Sequence, residues 1–345
     1  MFKTQEKFTN SFFGNYAYQP ILSRHSDHLL IRMNALINWS FVEKETIDRY
    51  SEKGQHAYHP LVIFKLLIIQ NLYALSERAV CEQADVNILY RSFVGLGLNE
   101  EMPHFTELGK FKERVGNEKF EALFYQVLKE AERLGIDIGN KRTADASSID
   151  ANVDVARCAK DKQDDNDKSW VDRNTSDADA RFGRKGNAPN SKRWYGYKSH
   201  INEDAQTELV MAVKTTDASV TDESMFVGLI DKERNARGNT AIRKQGGDKG
   251  YVGHQKDLEE RRILDYTIPR DNMKKEKEQK AHNTHYLNLK HQRYKVERKF
   301  AEGKKFHHLR KARYWGLFKV HLQCLLTYLV INLKRITNLT SPIPA

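Results

Sequence analysis

The sequence predicts an all-helical N-terminal domain over residues 1–138. An α+β or α/β domain follows over 139–338, a mixed sheet with flanking helices, and a tail closes the chain at 339–345. Two observations carry this reading. Up to about residue 135 the apolar residues recur at helical spacing, whereas after Gly139 short β-rich runs interleave with helical ones, the pattern of an α/β layer. The length of 345 residues agrees with about two domains.

Within the first domain, Pro60 suits a first helical turn and Leu61 to Leu75 is dense enough in apolar residues for a buried helix. Ser76 is a candidate N-cap for a helix over Glu77 to Gln83, and a second short helix is expected from Asn87 to Val94. Such a pair after a buried helix fits a helix-turn-helix, and equally any helical bundle. From Glu118 to Leu134, the residues Phe120, Leu123, Phe124, Val127, Leu128, Ala131 and Leu134 form one apolar stripe, with Asn117 before it and Gly135 after it. Beyond Gly139, strands are expected over Thr143–Val153, Tyr195–Asn202, Glu208–Thr216, Ala241–Gly247 and Leu264–Ile268. Helices are expected over Asp222–Arg234, Lys256–Arg262, about Thr284–Lys311 and Tyr314–Ile336. The stretch over 154–193 has few large apolar residues and reads as a polar insertion or long hairpin.

Composition narrows the class. A hydrophobic content of 39% supports a core and excludes collagen-like, disordered or disulfide-scaffold chains. Cys81, Cys158 and Cys324 are too few and too scattered for a disulfide framework or a thiolate metal site. The apolar run Val320–Leu333 is interrupted by His321 and Gln323 and is shorter than the roughly 20 residues of a membrane span. The first residues lack a basic-then-apolar leader, so a cytoplasmic location is expected. Lys and Arg number 57 against 46 acids, a net charge of +11, and ten of the cations fall between His291 and Val320, against Glu297 and Glu302. A positive field of this kind attracts polyanions, nucleic acid above all; a solvated basic helix gives the same count.

Breaking or joining a phosphodiester requires charge stabilisation that paired divalent ions supply when carboxylates from neighbouring elements hold them. Asp145 lies in a strand followed by small residues (TADASSIDANV), which leave room for a bulky substrate. Asp248 stands in the glycine-flanked turn GGDKGY, after a short strand. Either acid alone is equally a turn former. Glu297 is better defined: on a helix Arg293 lies one turn before it and Lys304 about two turns after, so one face carries an acid between two cations. That reads as a metal-binding acid beside phosphate grips, or as a plain ion pair. Asp150 is an alternative first acid, although its odd offset from Asp145 directs it to the opposite face of a regular strand; Asp154 is a weaker one. Lys198 and His200 share a strand face, Lys249 and Tyr251 flank Asp248, and Trp194, Tyr195 and Tyr197 are possible stacking residues. His254, His307 and His308 are further DNA candidates.

The segment RYKVERKFAEGKKFHHLRKARYWG resembles the third catalytic block of DDE-type transposases of bacterial insertion sequences, whose signature there is Tyr-x2-Arg-x3-Glu-x6-Lys. Arg293, Glu297 and Lys304 match it in type and spacing, while Lys290 stands where the family has tyrosine. TADASSIDAN is similar to the first-Asp strand, YGYKSHINED to the second strand and GGDKGY to the second-Asp block. YHPLVIFKLLIIQNLYALSER is similar to the N-terminal region of the insertion-sequence-five group and its relatives. The resemblance implies an RNase H-like core in which Asp145, Asp248 and Glu297 hold Mg2+, with Mn2+ as a substitute. It implies a transposase that cuts double-stranded DNA at its element's ends and joins the freed 3′-hydroxyl to target DNA, working as a homodimer or higher assembly with the N-terminal helices reading the ends. DNA contacts are expected from Arg293, Lys304, Lys198, His200, Lys249, Tyr251, Arg298 and Lys305. A metal-dependent nuclease without strand transfer and a non-catalytic DNA-binding regulator remain the alternatives.

Overall fold

A computed structural model describes residues 19–51, 53, 56–155, 176–185, 193–239 and 241–340. The chain divides into two compact units, Met1–Ile136 with Leu329–Ala345, and Asp137–Tyr328.

The first unit is helical among its described residues. It contains α1 (Leu29–Leu36), α2 (Ser40–Thr46), α3 (Pro60–Leu72), α4 (Glu77–Val86), α5 (Ile88–Val94) and α6 (Thr106–Arg133). Pro60 occupies the first turn of α3, and the His59 imidazole accepts from the Leu61 amide at 3.2 Å. All but one of the residues of α3 are buried, as its dense apolar content leads one to expect, and Lys65, Gln70 and Asn71 are buried with the rest. Ser76 caps α4 by accepting from the Ala79 amide at 3.0 Å. Asn87 both ends α4 and caps α5, accepting from Leu89 and Tyr90. A single residue thus joins the two helices, whereas a helix-turn-helix uses a turn of three or four; the pair is a tight bundle corner. The expected helix from Glu118 is the second part of α6, which Gly116 interrupts with φ 71° and ψ 165°. Among the described residues no single helix is long and apolar enough to cross a membrane; only α3 and α4 together, bent by 107°, reach that length and composition.

The second unit is built on β1 (Lys141–Asp150), β2 (Arg181–Arg184), β3 (Arg193–Asp204), β4 (Val210–Asp217), β5 (Lys244–Gly246) and β6 (Leu264–Asp265). β3 runs antiparallel to β1, from Arg142 opposite Asp204 to Asp150 opposite Gly196. β2 and β4 pair with successive stretches of the other edge of β3. β5 is parallel to β1 and β6 is parallel to β5. The expected mixed sheet with flanking helices is therefore present. Its helices are α7 (Phe226–Arg237), α8 (Gln255–Glu260), α9 (Lys274–Ala281), α10 (Thr284–Gln292), α11 (Tyr294–Phe306) and α12 (Leu317–Leu339), the last contributing its residues from Leu329 to the first unit. Phe226, Leu229 and Ile230 of α7 and Leu258 of α8 form a core with Ala144 and Ala212 of the sheet.

Three elements differ from expectation. The single helix expected over Thr284–Lys311 is two helices that meet at Arg293, and its last residues lie beyond the end of α11. Helix α9, KKEKEQKA, has no apolar stripe and so leaves no periodic signal. The polar insertion contains β2, because Phe182 packs on Tyr195 with ring centroids 5.0 Å apart while the strand completes the edge of β3. Residues 156–175 and 186–192 of that insertion, with Cys158, lie outside the described residues.

Candidate active site

Parallel pairing brings the two aspartates to one sheet edge. Thr143 lies opposite Gly246, so two residues further along each chain come Asp145 and Asp248. β5 ends at Gly246, and Asp248 opens the following turn, where its Oδ1 accepts from the Gly250 amide at 2.7 Å. Glu297 enters from α11, in the first turn of the helix, where an acid is favoured by the helix dipole. All three carboxylates line one cleft of about 1020 Å3.

Arg293 joins two of them. Its guanidinium lies 2.6 Å from Glu297 Oε1 and 3.6 Å from Asp145 Oδ2. It sits at the break between α10 and α11, so its side chain projects over the sheet edge one turn before Glu297. The environments of the acids differ: the Asp145 side chain is 17% exposed and that of Glu297 is 53% exposed. Burial pushes the Asp145 carboxyl up to about 7. The hydrogen bond from the Ala146 amide opposes this shift, the Asp248 charge adds to it, and the weaker effects of Arg293 and Glu297 partly cancel.

Hard carboxylate oxygens on three sides of a cleft are the donor chemistry that suits Mg2+ or Mn2+, so the residues fit such an ion in kind. Among the described residues, however, no three His, Cys, Asp or Glu side chains are gathered closely enough to hold a metal. The guanidinium of Arg293 supplies positive charge between Asp145 and Glu297 instead.

The other expected contacts divide into two groups. Lys304 lines the cleft and reaches Ser148 Oγ at 3.5 Å. Lys198 also lines it, 2.9 Å from Asp222. Of the three aromatics only Trp194 borders the cleft, with the Lys198 ammonium 5.9 Å from its ring; Tyr195 and Tyr197 are buried. Lys249 binds Asp271, Arg298 binds Glu208, and Lys305 lies over the Phe306 ring; none of the three lines the cleft.

Two expectations are corrected by depth. His200 is fully buried and bonded to Thr216 at 2.9 Å. Tyr251 is 1% exposed and packs on Phe226. Both are core residues in this structure: His200 lies within β3, between β1 and β4, and Tyr251, in the turn after β5, packs against α7. His254 is bound to Asp257, three residues on, and to the carbonyl of the distant Glu223. His307 is buried and His308 is exposed at the end of α11.

Asp150 also borders the cleft. It does so although its offset from Asp145 is odd: at Asp150 β1 is still paired with Gly196 of β3, and its other edge takes up the segment after α11, the Asp150 amide donating to the Arg310 carbonyl and its carbonyl accepting from the Ala312 amide. The cleft further includes Asp222, Arg184, Lys185 and Arg310, which sequence reasoning did not single out. Asp222 arrives through its ion pair with Lys198, which no local spacing announces.

Residues 20–114 match the family described as Transposase domain (DUF772), and residues 160–333 match the family described as Transposase DDE domain. The second match spans half of the chain and includes Asp248, Glu297 and Lys304, and the chain belongs to the DDE-type insertion-sequence transposases. The mixed sheet with its flanking helices is accordingly the RNase H-like fold of that family, whose members use divalent metal and act on DNA. No curated protein and no solved structure matches the chain.

Proposed function

We propose that this transposase cuts double-stranded DNA at the ends of its own element and joins the freed 3′-hydroxyl to target DNA, with Asp145, Asp248 and Glu297 as the catalytic carboxylates. The observation that supports this most is the meeting of those three acids, drawn from β1, the turn after β5, and α11, in one cleft rimmed by cations. The regular β1–β5 register makes two of them neighbours, which an accidental trio of acids would not share.

Mg2+ held by these carboxylates, or Mn2+ in its place, would supply positive charge to the scissile phosphate and acidify the attacking water or hydroxyl. The protein does the rest. Lys304 and Lys198, with Arg184, Lys185 and Arg310, line the cleft as grips for phosphate oxygens, arginine in a fork and lysine as a point charge. Ala146, Ser147 and Ser148 keep the wall beside Asp145 low, so a sugar-phosphate chain can approach the acid. Trp194, half-buried on the same wall, offers a stacking face to a base. End recognition falls to the helical unit, and joining two ends calls for a dimer or higher assembly.

Asp145→Asn, Asp248→Asn and Glu297→Gln should each reduce Mg2+-dependent cutting of an end duplex by roughly 10²–10³-fold or more, the scale on which a charge-stabilising group is lost. Folding and binding of the same duplex should persist. Undiminished cutting in all three variants refutes the assignment. A pre-cut end with a free 3′-hydroxyl separates the joining reaction from hydrolysis alone: the transposase yields a joined product, a plain nuclease none. Duplex affinity should also fall steeply with salt as counterions are displaced.

A further inference from the structure

The acids of the cleft already have a cation. Arg293 is 2.6 Å from Glu297 and 3.6 Å from Asp145. The same residue borders a second, open cavity of about 480 Å3, lined also by Leu287, Lys290, His291, Tyr294 and Glu297. That cavity thus carries the cation Lys290 and the imidazole of His291, and Glu297 borders both spaces. An arginine cannot lose its charge in water, so it gives up a carboxylate pair by moving and not by deprotonation, and a second anion within reach favours that move.

We propose that Arg293 is a counter-ion switch: it neutralises Asp145 and Glu297 in the DNA-free protein, and a DNA phosphate bound beside Lys290 and His291 draws it away, so that DNA and divalent cation bind cooperatively. The proposal rests on the metal-binding role given to the acids above. Three features support it. The guanidinium lies where a metal ion would have to compete for the same oxygens, and the acids are not gathered into a coordination shell among the described residues while it is there. It has a second, cationic neighbourhood within its own reach. Its backbone, at the break between two helices, places it in neither helix interior, so its side chain turns without disturbing a helix face.

Such a switch has a sign that a merely structural arginine lacks. An arginine that only positioned the acids would, when removed, weaken metal binding. A competing counter-ion, when removed, strengthens it. Thermodynamic reciprocity then requires DNA and metal each to tighten the other, typically by 5–150-fold in coupled systems.

The test is Mn2+ titration of the full-length protein by electron paramagnetic resonance, without DNA and with a duplex lacking the element's ends, which is bound through phosphates and not cut. Arg293→Gln should tighten the DNA-free Mn2+ Kd by about 10-fold and lose most of the gain that DNA brings to the wild type. Arg293→Lys, which retains a charge but not the two-pronged fork, should tighten it less. Lys290→Gln should leave the DNA-free Kd unchanged and shrink the DNA-induced gain. Wild-type Mn2+ binding that Arg293→Gln and Arg293→Lys leave unchanged or weaken overturns the switch alone. A full DNA-induced gain in Lys290→Gln overturns the phosphate pocket. A wild-type protein that binds no Mn2+ in either condition overturns the metal role of the acids and the switch with it.

Discussion

Removing Arg142 should unfold the catalytic unit more readily than any surface change, and the structure sets the size of the effect. Arg142 is fully buried at the start of β1, three residues before Asp145. Its guanidinium lies 2.6 Å from Asp204 and 2.8 Å from Glu233, and it donates to the carbonyls of Gly139, Lys141 and Ala241. Burial alone would lower its pKa, but the two carboxylates outweigh that and raise it, so it stays charged. Truncation would leave both acids buried. Asp204 would keep its bonds from the Thr207 amide and hydroxyl, and Glu233 its pair with Arg237 at 3.1 Å, so the loss is that of one partner in a network. Breaking a buried pair from one side costs about 3–5 kcal/mol, a large share of the roughly 5–15 kcal/mol that holds a domain folded. Arg142→Met keeps much of the volume and isolates the electrostatic part. Urea denaturation should show a loss of about 3–5 kcal/mol for Arg142→Met, and Asp204→Asn with Glu233→Gln in the same chain should restore part of it. A loss below about 1 kcal/mol for Arg142→Met would refute the view that this network fixes β1 in its register beside β5.

Two further outcomes follow from the strands next to the site. Burial, opposed by the Asp222 charge and aided by Lys198 and Lys214, holds His200 at about 4, so the unfolded chain takes up a proton near pH 6.5 that the folded chain refuses until about pH 4. Stability present above pH 6.5 is therefore lost as pH falls through that window, by up to roughly 3 kcal/mol. His200→Gln should flatten this part of the stability–pH curve, and a curve parallel to the wild type's would refute the assignment. At Gly196 the close approach of β3 to β1 leaves no room for a side chain: a Cβ would lie 2.1 Å from the Ile149 carbonyl oxygen and 2.6 Å from the Ala151 amide, both backbone. Gly196→Ala should therefore cost about 2–3 kcal/mol, read as a fall in Tm, and an unchanged Tm would show that the two strands can part there.

Much of this molecule was legible before its structure. The buried helix α3 followed from its apolar run, the helix from Glu118 from its apolar stripe, and the alternation of strands and helices after Gly139 from β-rich runs. The three acids and the Arg293–Glu297–Lys304 spacing were visible because residue type and helical period are local properties of the chain. Other features depended on contacts between distant segments. His200 and Lys198 are two residues apart on one strand, yet one is in the core and the other lines the cleft. Tyr251 is buried in a core it shares with Phe226 of α7, Leu258 of α8 and Ala144 of the sheet. Asp150 borders the cleft where the segment after α11 bridges to the free edge of β1, and Asp222 borders it paired with Lys198. Periodicity specifies what a helix or strand face is made of; the register of β1 on β5 and the packing of α7 and α11 decide which faces meet, since those depend on residues far apart in the chain.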